Sequence, residues 1–212
     1  MIFKDRLDAG EKLADNLKNY KNDSSSIILS IPRGGVGVGF YVAKKLNLPM
    51  NVIIAKKIGA PFNPELAIGA IAEKETVILN DQLIESYNIY ESYVSQKINE
   101  EKNNIEKKIE IYRNKESLSG LENKDVILVD DGIATGATIK ASIKFIKKSK
   151  AKKIIVATPV GERETIEEIK KMCDEVVCLE IPDFFNAVGS FYENFNQVSD
   201  EEVVNFIKDL KK

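Results

Sequence analysis

Asp130 and Asp131 stand between an apolar run, Val126-Ile127-Leu128-Val129, and a turn of small residues, Gly132-Ile133-Ala134-Thr135-Gly136-Ala137-Thr138. Four consecutive apolar residues without alternation read as a parallel strand buried on both faces, so the two acids emerge at its C-terminal edge, where open α/β sheets bind ligands. Ala134, Thr135, Gly136, Ala137 and Thr138 then bring backbone N–H groups and two hydroxyls to the start of a helix, whose dipole favours an anion. Carboxylates cannot receive a phosphate directly. They can accept hydrogen bonds from sugar hydroxyls or hold water around Mg2+. A phosphorylated sugar satisfies both halves of the turn.

Three rival phosphate motifs fail on spacing. A Walker A loop needs four residues between its glycines and a lysine after the second, whereas Gly132 and Gly136 enclose three and Ala137 follows. A haloacid-dehalogenase-like phosphatase needs its second aspartate two positions after the first, where Gly132 stands. The dinucleotide fingerprint fails in Gly35-Val36-Gly37-Val38-Gly39-Phe40, because its sixth position is Phe40.

Two further segments suit phosphate. Strand Ile27 to Ile31 ends in Pro32-Arg33-Gly34-Gly35-Val36-Gly37, which reads as a turn with glycines at positive φ, an anion nest to which Arg33 adds a guanidinium fork. Strand Asn51 to Ala55 is expected to end in Lys56-Lys57, at the edge where a dinucleotide enzyme places an acid; either the pair is an ordinary solvated surface pair or, as preferred, one of the two is a pyrophosphate contact.

The 212 residues, 43% of them hydrophobic, suffice for one sizeable core, expected as a single domain over 1–212. No stretch approaches the roughly 20 apolar residues of a membrane span, and the start lacks a signal-peptide apolar region, so a cytoplasmic protein without membrane contact is expected. A net charge of −2, with lysines interspersed among glutamates, gives no case for nucleic-acid binding. With no histidine in the chain, acid–base work falls to Asp, Glu, Lys, Tyr or water; Cys173 and Cys178 read as buried free thiols.

Strands and helices alternate, which predicts an α/β, doubly wound parallel sheet, closed by a last helix that opens on the capping box Ser199-Asp200-Glu201-Glu202. Residues 60–118 break the rhythm and read as an insertion of a hairpin, Ala67 to Ala72 with Thr76 to Leu79, plus a long helical arm. The arm carries Val94, Ile98, Ile105, Ile109 and Tyr112 on one stripe. That stripe either folds back on the domain, the expected outcome, or pairs with a second copy to give a homodimer.

The Asp130-Asp131 loop closely resembles the signature of type I phosphoribosyltransferases, which use phosphoribosyl pyrophosphate (PRPP), and residues 32 to 37 match that family's pyrophosphate loop in place and composition, where an unusual peptide often adjoins the Gly pair. Residues 3–10, Lys56-Lys57-Ile58-Gly59-Ala60-Pro61, Asn63-Pro64-Glu65 and Phe191-Tyr192-Glu193-Asn194-Phe195 extend the resemblance over nearly the whole chain, to a stand-alone group with unassigned acceptor. The resemblance implies transfer of 5-phosphoribosyl from PRPP to a nitrogenous base with release of pyrophosphate, through a transition state of oxocarbenium character. Asp130 and Asp131 would meet the ribose 2- and 3-hydroxyls and, through water or the ribose, Mg2+. Residues 134 to 138 would hold the 5-phosphate, and Arg33, Gly34, Gly35 and the Lys56-Lys57 pair the pyrophosphate. The family's mobile loop would fall in the inserted region. Ala134 replaces the aspartate of 6-oxopurine salvage enzymes, which disfavours hypoxanthine and guanine. Phe184, Phe185 and Tyr192 either stack on a flat acceptor ring or plug the core, and Glu65 is either a general base or a surface carboxylate. A PRPP-binding regulator without transferase activity is the alternative function.

Overall fold

The computed structural model describes residues 1–210. Its first half runs α1 (Arg6–Asp15), β1 (Ser26–Ser30), α2 (Gly34–Leu46), β2 (Met50–Val52), β3 (Ala55–Ala60), β4 (Asn63–Ala72), β5 (Thr76–Leu79), α3 (Asp81–Ser86) and α4 (Glu91–Arg113). The second half runs β6 (Asp125–Val129), α5 (Ala137–Lys148), β7 (Lys153–Val160), α6 (Arg163–Lys170), β8 (Glu175–Glu180) and α7 (Asp200–Asp209).

Five of these strands form an all-parallel sheet in the order β2-β1-β6-β7-β8. The side chains of the apolar runs alternate between its two faces, so each face needs its own cover. On one face Leu13 of α1 and Val38 and Val42 of α2 pack on Ile28, Ile127 and Ile155. On the other, Ile139 and Ile143 of α5 and Ile166 of α6 pack on Leu29, Leu128 and Val156. Burial from both sides is the doubly wound arrangement that the alternation of elements predicts. The last helix opens on the complete capping box between Ser199 and Glu202. No helix among the described residues is long and apolar enough to cross a membrane.

A second sheet, antiparallel, runs in the order β3-β4-β5, and its first strand begins at Ala55, before the 60–118 stretch expected to break the rhythm. The strand predicted from Asn51 to Ala55 is in fact two. The parallel strand stops at Val52, the chain passes to the second sheet through Ile53 and Ile54, and Lys56 and Lys57 lie inside β3 rather than at the edge of the parallel sheet. Ile54 can leave the ladder because its N–H donates to Glu73 Oε1 at 3.0 Å, which satisfies a buried backbone group without a strand partner. Glu73 is in turn ion-paired to Arg113 at the end of α4, with only 3% and 4% of the two side chains exposed.

The stripe on α4 folds back. Val94, Ile105 and Tyr112 are buried, with Ile98 and Ile109 against the same cluster, which includes Ile58, Ile68 and Ile71 of the second sheet and Val203 and Ile207 of α7. The stripe is therefore spent inside the chain and is not a surface for a second copy.

Candidate functional site

β6 carries Asp130 and Asp131 to the C-terminal edge of the parallel sheet. Val126 to Val129 are fully buried, and the two half-buried carboxylates follow directly at the end of that strand. The loop beyond is fixed from β7: Ile133 N donates to Val160 O and Glu162 N donates to Ile133 O, both at 2.9 Å. Gly136 then takes the N-cap of α5 at φ 65°, a left-handed conformation that glycine adopts without strain. No side chain caps this helix, so its first N–H groups are left for a ligand or water. Ala134 and Thr135 are exposed around that terminus, and Ala137 and Thr138 are half-buried.

The N-terminus of α2 reaches the same carboxylates. The positive-φ turn predicted at residues 32 to 37 is not present: Gly34, Gly35 and Gly37 are helical, and among the described glycines only Gly120 and Gly136 have positive φ. Their small size is what the site requires. A Cβ on Gly34 would fall 1.8 Å from Asp131 Oδ2, and one on Gly35 would fall 2.8 Å from Asp130 Oδ1. The helix start is thus pressed onto the acids, with the Pro32-Arg33 peptide cis beside it. No side chain caps α2 either.

Asp131 has a partner that local spacing could not supply. Asp5 caps α1 by accepting from Asp8 N, which places Arg6 at the first helical position. From there Arg6 Nε donates to Asp131 Oδ2 at 2.9 Å, with Nη2 2.8 Å from the same oxygen. Its Nη1 donates to Asn196 O at 2.8 Å, and the guanidinium lies 4.1 Å over the Phe195 ring. Burial and the adjacent Asp131 charge raise the Asp130 carboxyl well above the ordinary carboxylate value. Burial raises Asp131 as well, against the opposing pull of Arg6.

Tyr192 is not placed to stack on a ligand. It is buried between Phe3 and Phe195, with ring centroids at 5.4 and 4.9 Å, and its hydroxyl donates to Asp131 O at 2.6 Å. It braces the backbone of the acidic loop instead. Phe185 stacks on Phe191, and Phe184 is 90% exposed, which leaves Phe184 the freest ring of the three. Arg6, Phe195 and the brace from Tyr192 escaped sequence reasoning as site components. Their segments were visible only as flanks of the family resemblance, since Arg6 and Asp131 lie 125 residues apart.

The cationic residues divide. Lys57 Nζ is 2.6 Å from Glu65 Oε2, and Glu65 is a surface carboxylate with 85% of its side chain exposed. Arg33 and Lys56 are half-buried and lie together in a cleft of about 290 Å³ with Pro32, Ile54, Ala55, Lys108 and Tyr112. The structure therefore brings together Asp130, Asp131, Gly34, Gly35 and the 134–138 loop, sets Arg33 and Lys56 in an adjoining cleft, and ties Lys57 to a surface pair.

Among the described residues no cluster of three or more His, Cys, Asp or Glu side chains could hold a metal. Two neighbouring carboxylates fit a different arrangement, in which Mg2+ keeps its waters and takes the rest of its ligands from substrate phosphates.

An acidic strand end followed by two helix N-termini without side-chain caps, at the C-terminal edge of a parallel sheet, offers acceptors for hydroxyls beside donors for an anion. The chain belongs to the phosphoribosyl transferase domain family, whose model matches residues 2–196. It is 38% identical over 206 residues to MT0597 and Rv0571c, from two strains of Mycobacterium tuberculosis, both named provisionally as phosphoribosyl transferases. The alignments cover 97% of this chain and 46% of each relative, so the chain spans about half their length. The crystal structure of TT1426 from Thermus thermophilus superposes with a TM-score of 0.83 at 34% identity over 99% of both chains.

Proposed function

We propose that the chain transfers 5-phosphoribosyl from PRPP to a nitrogenous acceptor with release of pyrophosphate. One observation carries this reading: the uncapped start of α2 packs on the pair Asp130-Asp131, and the loop after the pair leads into the uncapped start of α5. A diol, a terminal phosphate and a diphosphate on one small molecule match those three features in order. Asp130 and Asp131 accept hydrogen bonds from the ribose hydroxyls and hold the ring still. The amides at 134 to 138 hold the 5-phosphate, while Gly34 and Gly35 at the start of α2, with Arg33 and Lys56, take the pyrophosphate.

As the C1–O bond to pyrophosphate breaks and the C1–N bond forms, positive charge develops on the ring next to the two acids, which favours it electrostatically. Arg6 keeps Asp131 in place by occupying Oδ2 alone. Asp130 and Asp131 would hold Mg2+ through water or the ribose, and the ion would supply charge neutralisation for the departing pyrophosphate. The acceptor loses its proton to solvent or to a carboxylate. Its ring would lie near Phe184, and Ala134 argues against 6-oxopurines. Together residues 1–212 would act as one domain, with 60–118 as its insertion.

Incubation with PRPP, Mg2+ and a panel of purine, pyrimidine and other nitrogenous bases, with pyrophosphate release as readout, tests the proposal. Release with one acceptor supports transfer. PRPP binding without release on any acceptor favours a regulator that keeps the site and performs no transfer, and absence of PRPP binding overturns both.

A further inference from the structure

The helical arm carries a residue that the transfer reading does not use. Lys108 of α4 lines the cleft that also contains Arg33 and Lys56. Its Nζ donates to Asp200 Oδ2 at 2.5 Å, and the hydroxyl of Tyr112, one helical turn further on, donates to Asp200 Oδ1. Asp200 stands in the first turn of α7, so one carboxylate gathers a lysine and a tyrosine of the arm that both line the cleft. The charge of Arg33 reaches both Asp200 and the Tyr112 hydroxyl. Three cations against one carboxylate leave the cleft with an excess of two positive charges. Neither Arg33 nor Lys56 has an ion-pair partner among the described residues, although many lysines elsewhere are paired. Half-buried, unpaired cations of this kind call for an anion.

We propose that Lys108, with Tyr112 beside it, is a binding residue for the pyrophosphate end of the donor, and that Asp200 holds the lysine ready until the anion arrives. A diphosphate spans two phosphate positions and carries more charge than a single guanidinium offsets; the arm adds a third cation to the cleft that holds Arg33 and Lys56. On arrival the ammonium exchanges the Asp200 oxygen for a phosphate oxygen, and Tyr112 keeps Asp200 hydrogen-bonded. This inference rests on the PRPP reading of the site and extends it to a residue 22 positions before Asp130.

Calorimetric titration of inorganic pyrophosphate with Mg2+, of PRPP with Mg2+, and of ribose 5-phosphate tests it on the full chain. The proteins compared are the unsubstituted chain, Lys108→Gln, Lys108→Arg and Asp200→Asn. Loss of one charge-assisted contact weakens pyrophosphate and PRPP by about ten- to a hundredfold in Lys108→Gln, with ribose 5-phosphate affinity unchanged. Lys108→Arg recovers most of the loss, and Asp200→Asn tightens pyrophosphate severalfold, because a competing carboxylate is gone. A lysine that merely ties α4 to α7 gives the opposite pattern: Asp200→Asn and Lys108→Gln would lower the melting temperature alike and weaken all ligands together or none. Unaltered pyrophosphate affinity in a folded Lys108→Gln overturns the inference while leaving PRPP transfer standing. If the unsubstituted chain binds neither PRPP nor pyrophosphate, the underlying reading falls and this one with it.

Discussion

Replacing Gly34 by alanine should disable the site without touching a charged residue. The added Cβ would lie 1.8 Å from Asp131 Oδ2, 2.6 Å from its Cγ and 3.1 Å from Arg6 Nη2. Ordinary carbon–oxygen contact begins near 3.4 Å, so the carboxylate must retreat by roughly 1.5 Å, the scale on which positioned groups lose their function. That retreat breaks the 2.9 and 2.8 Å contacts with Arg6 and takes Asp131 away from the ribose hydroxyls. Loss of one hydrogen bond to a charged group, about 1.5 to 3 kcal/mol, weakens PRPP by about ten- to a hundredfold. Gly34 opens α2 rather than lying inside it, so helix propensity offers little compensation and the disturbed Arg6–Asp131 pair sets a modest loss of fold stability. Calorimetry with PRPP and Mg2+, beside a thermal melt, reads both quantities. Unchanged PRPP affinity in Gly34→Ala would refute the idea that α2 is packed onto a ribose-binding carboxylate.

Three other outcomes are expected. Asp130 has a folded-state pKa raised above the unfolded value of 3.8; the folded chain binds more protons across that window, and stability falls as pH rises through it. Asp130→Asn should therefore melt higher than the parent at neutral pH, with the difference vanishing toward pH 3.8, and a lower melting temperature at a pH of about 7.5 would contradict it. Glu73→Gln leaves the buried Arg113 charge uncompensated and should cost about 3 to 5 kcal/mol in urea unfolding; a loss under about 1 kcal/mol would show the pair to be dispensable. Gly136→Ala must place a side chain at φ 65° with its Cβ 2.6 Å from Thr165 Cγ2, and a destabilisation of about 1 to 3 kcal/mol is expected in the same assay.

The parallel sheet was legible because Val126 to Val129 and Ile154 to Ala157 are unbroken apolar runs that only a strand covered on both faces can bury. The stripe on α4 and the Ser199 capping box were equally open to reading, since both rest on local spacing. The run Val52-Ile53-Ile54-Ala55 was not. A chain passing from one buried sheet to another has the same hydrophobicity as a single strand, and the acceptor for Ile54 N–H is a glutamate 19 residues away. Glycines carry no mark of whether they are chosen for torsion or for size, so the sequence of Gly34 and Gly35 suggests a turn, whereas close approach to Asp130 and Asp131 decides their identity. Arg6 and Tyr192 belong to the acidic centre through contacts from opposite ends of the chain, which no local periodicity encodes.

The buried pair Glu73–Arg113 also limits how the molecule can move. Arg113 ends α4, Glu73 follows β4, and the same glutamate holds the crossing at Ile54, while Tyr93 near the other end of α4 donates to Gly59 O at 2.9 Å. Swinging the whole arm aside would strand a charge in hydrocarbon, and about 3 to 5 kcal/mol for that keeps the swung-out population at or below about one molecule in a hundred. The short β3–β4 tip around Pro61 and Phe62 lies outside this anchor, exposed, with the Phe62 ring against Tyr87. The arm behaves as masonry.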